Sequence, residues 1–244
     1  MKKRIIYFIA ILVVASVLFA ILYHIDSQYK KTDAYKFMTE YEDLNGKKAK
    51  NGKKYRKLDI SSDNRMIYST AKEIVKKIDN NESFIVYFGF AKCPWCRTMV
   101  TNLVDLSMQK EMDVYYVDIL NIRDVKEYID WEVKTTKEGD KYYMELLSRL
   151  DSVLDKYTLK DENGLAIVDD EGYEIDTNEK RIYAPNVVAV VNGTAQKMVT
   201  GYSSLIEDPY DTLTEEMNKE SIEQLECIFK CFEEENVCTK PDVC

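Results

Sequence analysis

An α/β domain behind one apolar N-terminal helix is the architecture this sequence predicts, on three observations. Phe84-Ile85-Val86-Tyr87-Phe88-Gly89-Phe90 is an apolar, β-branched and aromatic run, the pattern of a buried strand. Helix-forming sequence follows to about Lys110, and a second such run stands at Val114-Tyr115-Tyr116-Val117-Asp118-Ile119. Strand, crossover of helical length and strand make a parallel pair in a buried sheet. Farther on, Val187–Val191 and Gln196–Tyr202 flank Asn192-Gly193, and two strands across an Asn-Gly turn make an antiparallel hairpin.

Lys2-Lys3-Arg4 opens the chain ahead of Ile5 to Ile25, which holds no Asp, Glu, Lys or Arg. About twenty such residues span a bilayer as a helix. The basic flank predicts a cytoplasmic N-terminus and a remainder outside the cell membrane. Residues 1–25 therefore read as a single-pass signal-anchor. The alternative is a cleaved signal, but Phe19-Ala20-Ile21-Leu22-Tyr23 lacks the small-residue exit of one. Residues 26–62 show no sustained periodicity and carry the turn signals Asn45-Gly46 and Asn51-Gly52. They read as a spacer with local helix near Tyr29–Tyr41.

Residues 63–235 read as the domain. Thr70-Ala71-Lys72-Glu73 has capping-box spacing ahead of Ile74, Val75 and Ile78, so a helix precedes the first long strand. Residues 121–160 read as mostly helical, through Val125, Tyr128 and Ile129 and then Tyr143, Leu146, Leu147 and Leu150. Short strands are expected at Leu165–Val168 and Arg181–Tyr183. A long acidic helix, about Asp211 to Glu235, closes the domain, and residues 236–244 form a cysteine-containing tail.

The chemistry lies at Cys93-Pro94-Trp95-Cys96, between the first long strand and the helix after it. A dithiol at such a junction can cycle between open and closed states. The helix N-terminus stabilises a thiolate on the first sulfur, and Pro94 suits the first turn because its missing N–H would be unpaired there. Cys93 is expected as the exposed attacking thiolate and Cys96 as the inward, resolving thiol. Lys92 and Arg97 flank the pair, and cations lower a thiol pKa. A zinc half-site or a plain disulfide is the competing interpretation of the spacing.

Other chemistries are excluded by what the chain lacks. His24, the single histidine, lies in the apolar segment, so Cys-His, Ser-His and His-metal catalysis have no base or ligand in the outer domain. There is no glycine-rich phosphate loop. A net charge of −9 argues against nucleic acid as a partner. The basic run Lys47 to Lys57 reads as solvated surface, or as a patch drawn to an anionic surface near the anchor. No cofactor and no metal are expected.

Together the strand, the C-x-x-C helix, the second strand and the Pro185 hairpin resemble the thioredoxin-like superfamily over roughly residues 66–235. The resemblance implies a three-layer sandwich and a cis-proline at Pro185, preceded by Ala184, beside the dithiol, where both would hold a substrate backbone. It implies a partly helical insertion over about residues 121–182, similar in plan to the helical cap of periplasmic disulfide oxidases. The Pro-Trp dipeptide is similar to the proline-led dipeptides of glutaredoxins and those oxidases, with Trp95 shaping the approach. Tyr87 stands where thioredoxins carry a buried acid, which turns the expectation from reductase towards oxidase or isomerase.

The activity so implied is extracytoplasmic thiol–disulfide exchange on cysteines of exported proteins, with a membrane redox partner. The alternative is a non-catalytic accessory module for a secreted peptide or an assembly partner. Cys227, Cys231, Cys238 and Cys244 crowd the C-terminal end and are expected to form structural disulfides of open connectivity. A redox relay and a Cys₄ metal site are the alternatives. On a helical wheel Cys227 and Cys231 fall away from Leu225, Ile228 and Phe229, so they are expected off the core.

Overall fold

The computed structural model describes residues 2–160 and 166–233. Helix α1 (Lys2–Tyr29) is long and apolar enough to cross a membrane, and its window Leu12–Tyr29 is nowhere buried against the domain. After Lys30, Lys31 and Thr32 comes α2 (Asp33–Glu42), capped by the Thr32 hydroxyl, which accepts the Tyr35 N–H at 3.2 Å.

The domain is a mixed α/β fold. Its elements are β1 (Met66–Tyr68), α3 (Ala71–Asp79), β2 (Phe84–Gly89), α4 (Cys96–Gln109) and β3 (Val114–Asp118), then β4 (Val125–Ile129), β5 (Glu132–Lys137) and α5 (Lys141–Leu150), with β6 (Asp155–Thr158), β7 (Asp176–Arg181), β8 (Asn186–Val191), β9 (Thr194–Val199) and α6 (Glu215–Lys230) completing the chain. The central sheet has the order β1-β3-β2-β8-β9. β3 runs parallel to both β1 and β2, whereas β8 is antiparallel to β2 and β9. The parallel pair and the Asn192-Gly193 hairpin lie where the sequence places them. Both turn residues are left-handed, with φ of 49° and 71°.

Alternation along β2 divides the core in two. Ile85 and Tyr87 face one cluster with residues of α2, α4 and α6, while Phe84, Val86 and Phe88 face the other with residues of α3 and α5. The capping box of α3 is present: Thr70 Oγ1 accepts the Glu73 N–H at 3.2 Å and Glu73 Oε2 accepts the Thr70 N–H at 2.8 Å.

Two expectations are corrected. Residues 26–62 are not a free spacer: Phe37 and Tyr41 are fully buried, and Leu58 and Ile60 join them in the core. Phe37 and Tyr41 are one helical turn apart on one face of α2, which seals the sheet beside Tyr116. Secondly, Val125, Tyr128 and Ile129 belong to the β4–β5 hairpin rather than a helix. Asp130 and Trp131, with φ of 54° and 67°, turn it, and Val133, Thr135 and Thr136 favour the extended backbone. Within the expected insertion, α5 packs into the domain: Tyr143, Leu146 and Leu150 are fully buried in the cluster that α3 also covers.

The expected strand Leu165–Val168 is represented by isolated bridges, Lys160 with Ala166 and Val168 with Glu174, and Leu165 itself lies outside the described residues. Helix α6 is shorter than expected, starting at the Thr214 cap, whose hydroxyl accepts the Met217 N–H.

Candidate functional site

Strand β2 and helix α4 place the dithiol at the carboxyl end of two parallel strands, where sheets of this kind present their chemistry. After β2 the Phe90 carbonyl accepts the Cys93 N–H at 3.0 Å, closing a tight turn, and the helix starts at Cys96. Pro94 and Trp95 occupy the turn just before the helix rather than its interior.

Cys93 Sγ accepts the backbone N–H of Cys96 at 3.2 Å, and its thiol donates to the Ala184 carbonyl at 3.3 Å. Burial pushes the Cys93 thiol pKa up. Donation from the Cys96 thiol, the backbone N–H groups of Cys96 and Trp95, and the charge of Arg123 outweigh that and set it below the ordinary value. Cys96 is pushed well above its ordinary value, first by burial and then by the neighbouring sulfur that holds the charge. The two thiols are therefore unequal, and the first ionises before the second. Cys93 is not exposed as expected: only 4% of it is accessible.

The cation with a leading effect on Cys93 lies outside the expected pair. Lys92 is exposed on the turn. Arg97 is 1% exposed, and it donates from Nη1 to the Tyr41 carbonyl at 2.8 Å and from Nη2 to the Arg56 carbonyl at 2.6 Å and to Asn45 Oδ1 at 2.8 Å. The Tyr55 ring lies 5.5 Å from the guanidinium. Arg97 is a structural clamp, and it suits the C-terminal end of α2, where the helix dipole favours a cation. Arg123, just beyond β3, supplies the charge felt by Cys93, with the Phe90 ring 5.5 Å away. Sequence reasoning missed it. The available signal was its position after a parallel strand that ends beside the C-x-x-C strand.

The Ala184–Pro185 bond is cis. A groove of about 600 Å³ opens beside it, lined by Trp95, Tyr202, Tyr183, Ala184 and Pro185, with Lys156 and Thr158 of β6 across from them. Trp95 rests on Tyr202, their ring centroids 4.7 Å apart. The strand β6 and Tyr202 are further lining residues that the sequence reading did not find.

Behind the dithiol, Tyr87 replaces any acid. Its hydroxyl lies 2.8 Å from that of Tyr41, in the buried core, and burial pushes the Tyr87 hydroxyl pKa well above its ordinary value. Gly89 makes room for this, since a Cβ there would overlap the Tyr87 ring. No group of potential metal ligands gathers among the described residues.

Cys227 and Cys231 are both disulfide-bonded. Contrary to expectation they are buried, and Cys231 joins the cluster of α2, α4 and α6. Three residues along a helix bring Cys231 to about 60° from Ile228, beside the apolar stripe instead of opposite it. Cys238 and Cys244 lie outside the described residues. Compared with models of known families, with curated proteins and with solved structures, the chain finds no match.

Proposed function

We propose that this chain is a thioredoxin-like thiol–disulfide oxidoreductase, held in a membrane by α1 and facing away from the cytoplasm, which acts on cysteines of exported proteins. The observation that carries the reading is the Cys93 sulfur: it sits at the start of α4, 3.2 Å from the Cys96 N–H and 3.3 Å from the Ala184 carbonyl, beside the Pro185 groove. The parallel β2–β3 pair and the proline-led β8–β9 hairpin support the thioredoxin-like assignment.

In the oxidising direction a substrate thiolate attacks Cys93 Sγ of the closed disulfide, and Cys96 departs with the electron pair and takes up a proton. A second substrate thiolate then breaks the mixed disulfide, forming the substrate disulfide and releasing Cys93 as a thiolate. The reduced pair returns its two electrons to a membrane redox partner. A thiol of lowered pKa is a good leaving group, which favours this direction or isomerisation.

Replacing Cys96 by Ser tests the proposal. In the full chain, this variant should accumulate mixed disulfides between Cys93 and exported proteins. Absence of such adducts, with insulin reduction and scrambled-substrate refolding at background, would remove the enzyme reading. The burial of Cys93 favours one second reading, an accessory module whose dithiol is structural. A reduction potential well below the glutathione range would select that reading, and a more oxidising one the enzyme.

A further inference from the structure

We propose that the basic hairpin between α2 and β1 is a docking surface for an acidic stretch of the exported substrate. Set at one end of the Pro185 groove, it would bring cysteines with acidic neighbours to the dithiol. The inference rests on the oxidoreductase reading above and names a substrate class for it.

The run Lys47 to Lys57 holds six lysines and Arg56 and no acid, in a chain whose net charge is −9. It is folded as a small hairpin. The Lys47 and Lys53 carbonyls accept the N–H groups of Tyr55 and Ala49 at 2.9 and 2.8 Å, and Gly52, with φ of 81°, lies in the turn. Lys48 stands opposite Lys54 in an antiparallel bridge, and both are exposed. Like charges directly opposite each other are destabilising, and an anionic segment laid across them relieves that repulsion. Of the lysines in the run, Lys53 alone has a carboxylate partner among the described residues, Asp208.

Two anchors fix the hairpin beside the dithiol. At its base Arg97, the residue next to Cys96, donates to the Arg56 carbonyl at 2.6 Å and lies 5.5 Å from the Tyr55 ring. On its flank Lys53 pairs with Asp208, Arg56 donates to the Pro209 and Asp211 carbonyls, and the Tyr55 and Tyr210 ring centroids are 6.1 Å apart. Asp208 follows Glu207, which lines the Pro185 groove with Thr200 and Tyr202. The groove wall therefore continues into the loop that holds the hairpin. Within the groove Asp155 and Glu207 offset Lys156 and Lys160, so the unbalanced positive charge lies beyond its Glu207 end.

A polypeptide lying along the groove past Tyr202 and Glu207 leaves it towards Lys53 and Lys54. Exposed lysines attract an acidic segment over about 10 Å at 0.1 M salt. Such attraction raises the encounter rate more than it tightens the complex, so its signature is a rate that depends on salt.

The full-length Cys96→Ser chain in detergent tests this. Offered a peptide whose cysteine carries a pyridyl disulfide, Cys93 attacks the peptide sulfur. The Cys93–peptide bond forms, and thiopyridone leaves with the electron pair and is read by its absorbance. Two peptides are compared, identical except that glutamates flanking the cysteine in one are glutamines in the other. The acidic peptide should react about tenfold faster at low ionic strength, and the ratio should fall towards one at high ionic strength.

Lys48→Gln with Lys54→Gln should cut that ratio by at least about half. Lys72→Gln with Lys76→Gln removes the same charge from α3, on the other face of the sheet, and should leave the ratio as it was. The ratio is internal to each variant, so a general loss of activity does not imitate the effect. Equal rates for the two peptides, an unchanged ratio in the Lys48 and Lys54 variant, or an equal fall in both variants overturns the proposal. Membrane lipid is the other anionic occupant. In phosphatidylcholine vesicles, trypsin should cut the Lys47–Lys57 run equally fast with and without phosphatidylglycerol. Protection by phosphatidylglycerol gives the hairpin to lipid and overturns the proposal. Release from neither peptide overturns the oxidoreductase reading itself and the proposal with it.

Discussion

The Arg97 guanidinium donates to the Tyr41 carbonyl at 2.8 Å, joining the first turn of α4 to the last turn of α2. The same guanidinium holds Asn45 and the Arg56 carbonyl, so one buried cation organises the whole stretch between the apolar helix and the domain. Burial lowers its proton affinity, yet no carboxylate pairs with it among the described residues. Carbonyls and the α2 dipole carry that charge.

Arg97→Ala should therefore strand several carbonyls in the core and cost about 3 kcal/mol, the range for buried hydrogen bonds to a charged group. Chemical denaturation measures the loss. Trypsin should cut the Lys47–Lys57 run faster in the variant than in the wild type. Equal cleavage rates would show that the clamp does not hold this stretch.

The unequal thiols predict ordered alkylation. A thiolate is the reactive form, and the Cys93 pKa is lowered while that of Cys96 is raised. Going up in pH, Cys93 ionises first, so iodoacetamide at neutral pH should label Cys93 and leave Cys96 untouched. Mass spectrometry after a short pulse reads the order. Labelling of both at the same rate would contradict it.

Arg123→Ala removes the charge that favours a Cys93 thiolate. The pH profile of Cys93 alkylation should move upward, and its rate at neutral pH should fall severalfold. Lys92→Ala, at an exposed position, should leave the profile where it is. The reverse ranking would restore the flanking lysine as the tuning charge.

Gly89→Ala places a methyl group into the Tyr87 ring. Overpacking of this kind costs about 1–3 kcal/mol, which a shift in the denaturation midpoint measures. Repacking should also disturb the buried Tyr87–Tyr41 hydroxyl pair.

The parts of this fold legible in sequence are those whose pattern is local. The β2 run, the Thr70–Glu73 box and the Asn192-Gly193 turn each carry their own signal within a few residues, and all three are present. The dithiol and Pro185 were legible for the same reason, and the fold brings them together. What escaped depends on distant partners. Phe37 and Tyr41 are the only two fully buried side chains of a ten-residue helix, and apolar residues on its other positions blur the stripe they make. Val125, Tyr128 and Ile129 fit a helical spacing as well as a strand, and the left-handed turn at Asp130 and Trp131 with the β-branched run after it decides between them. Arg123 has no local motif to mark it, and its one signal is the parallel strand before it, which the sheet brings beside the C-x-x-C strand.

Only Lys30, Lys31 and Thr32 separate α1 from α2, whose buried face belongs to the core. A flexible tether of the length of residues 26–62 would let an anchored domain sweep a hemisphere of roughly 35 Å. Here the leash is folded into the body it holds. With α1 in a bilayer and the dithiol active, as proposed above, three residues would be all the slack between lipid and domain, and the exchange would reach only cysteines near that height.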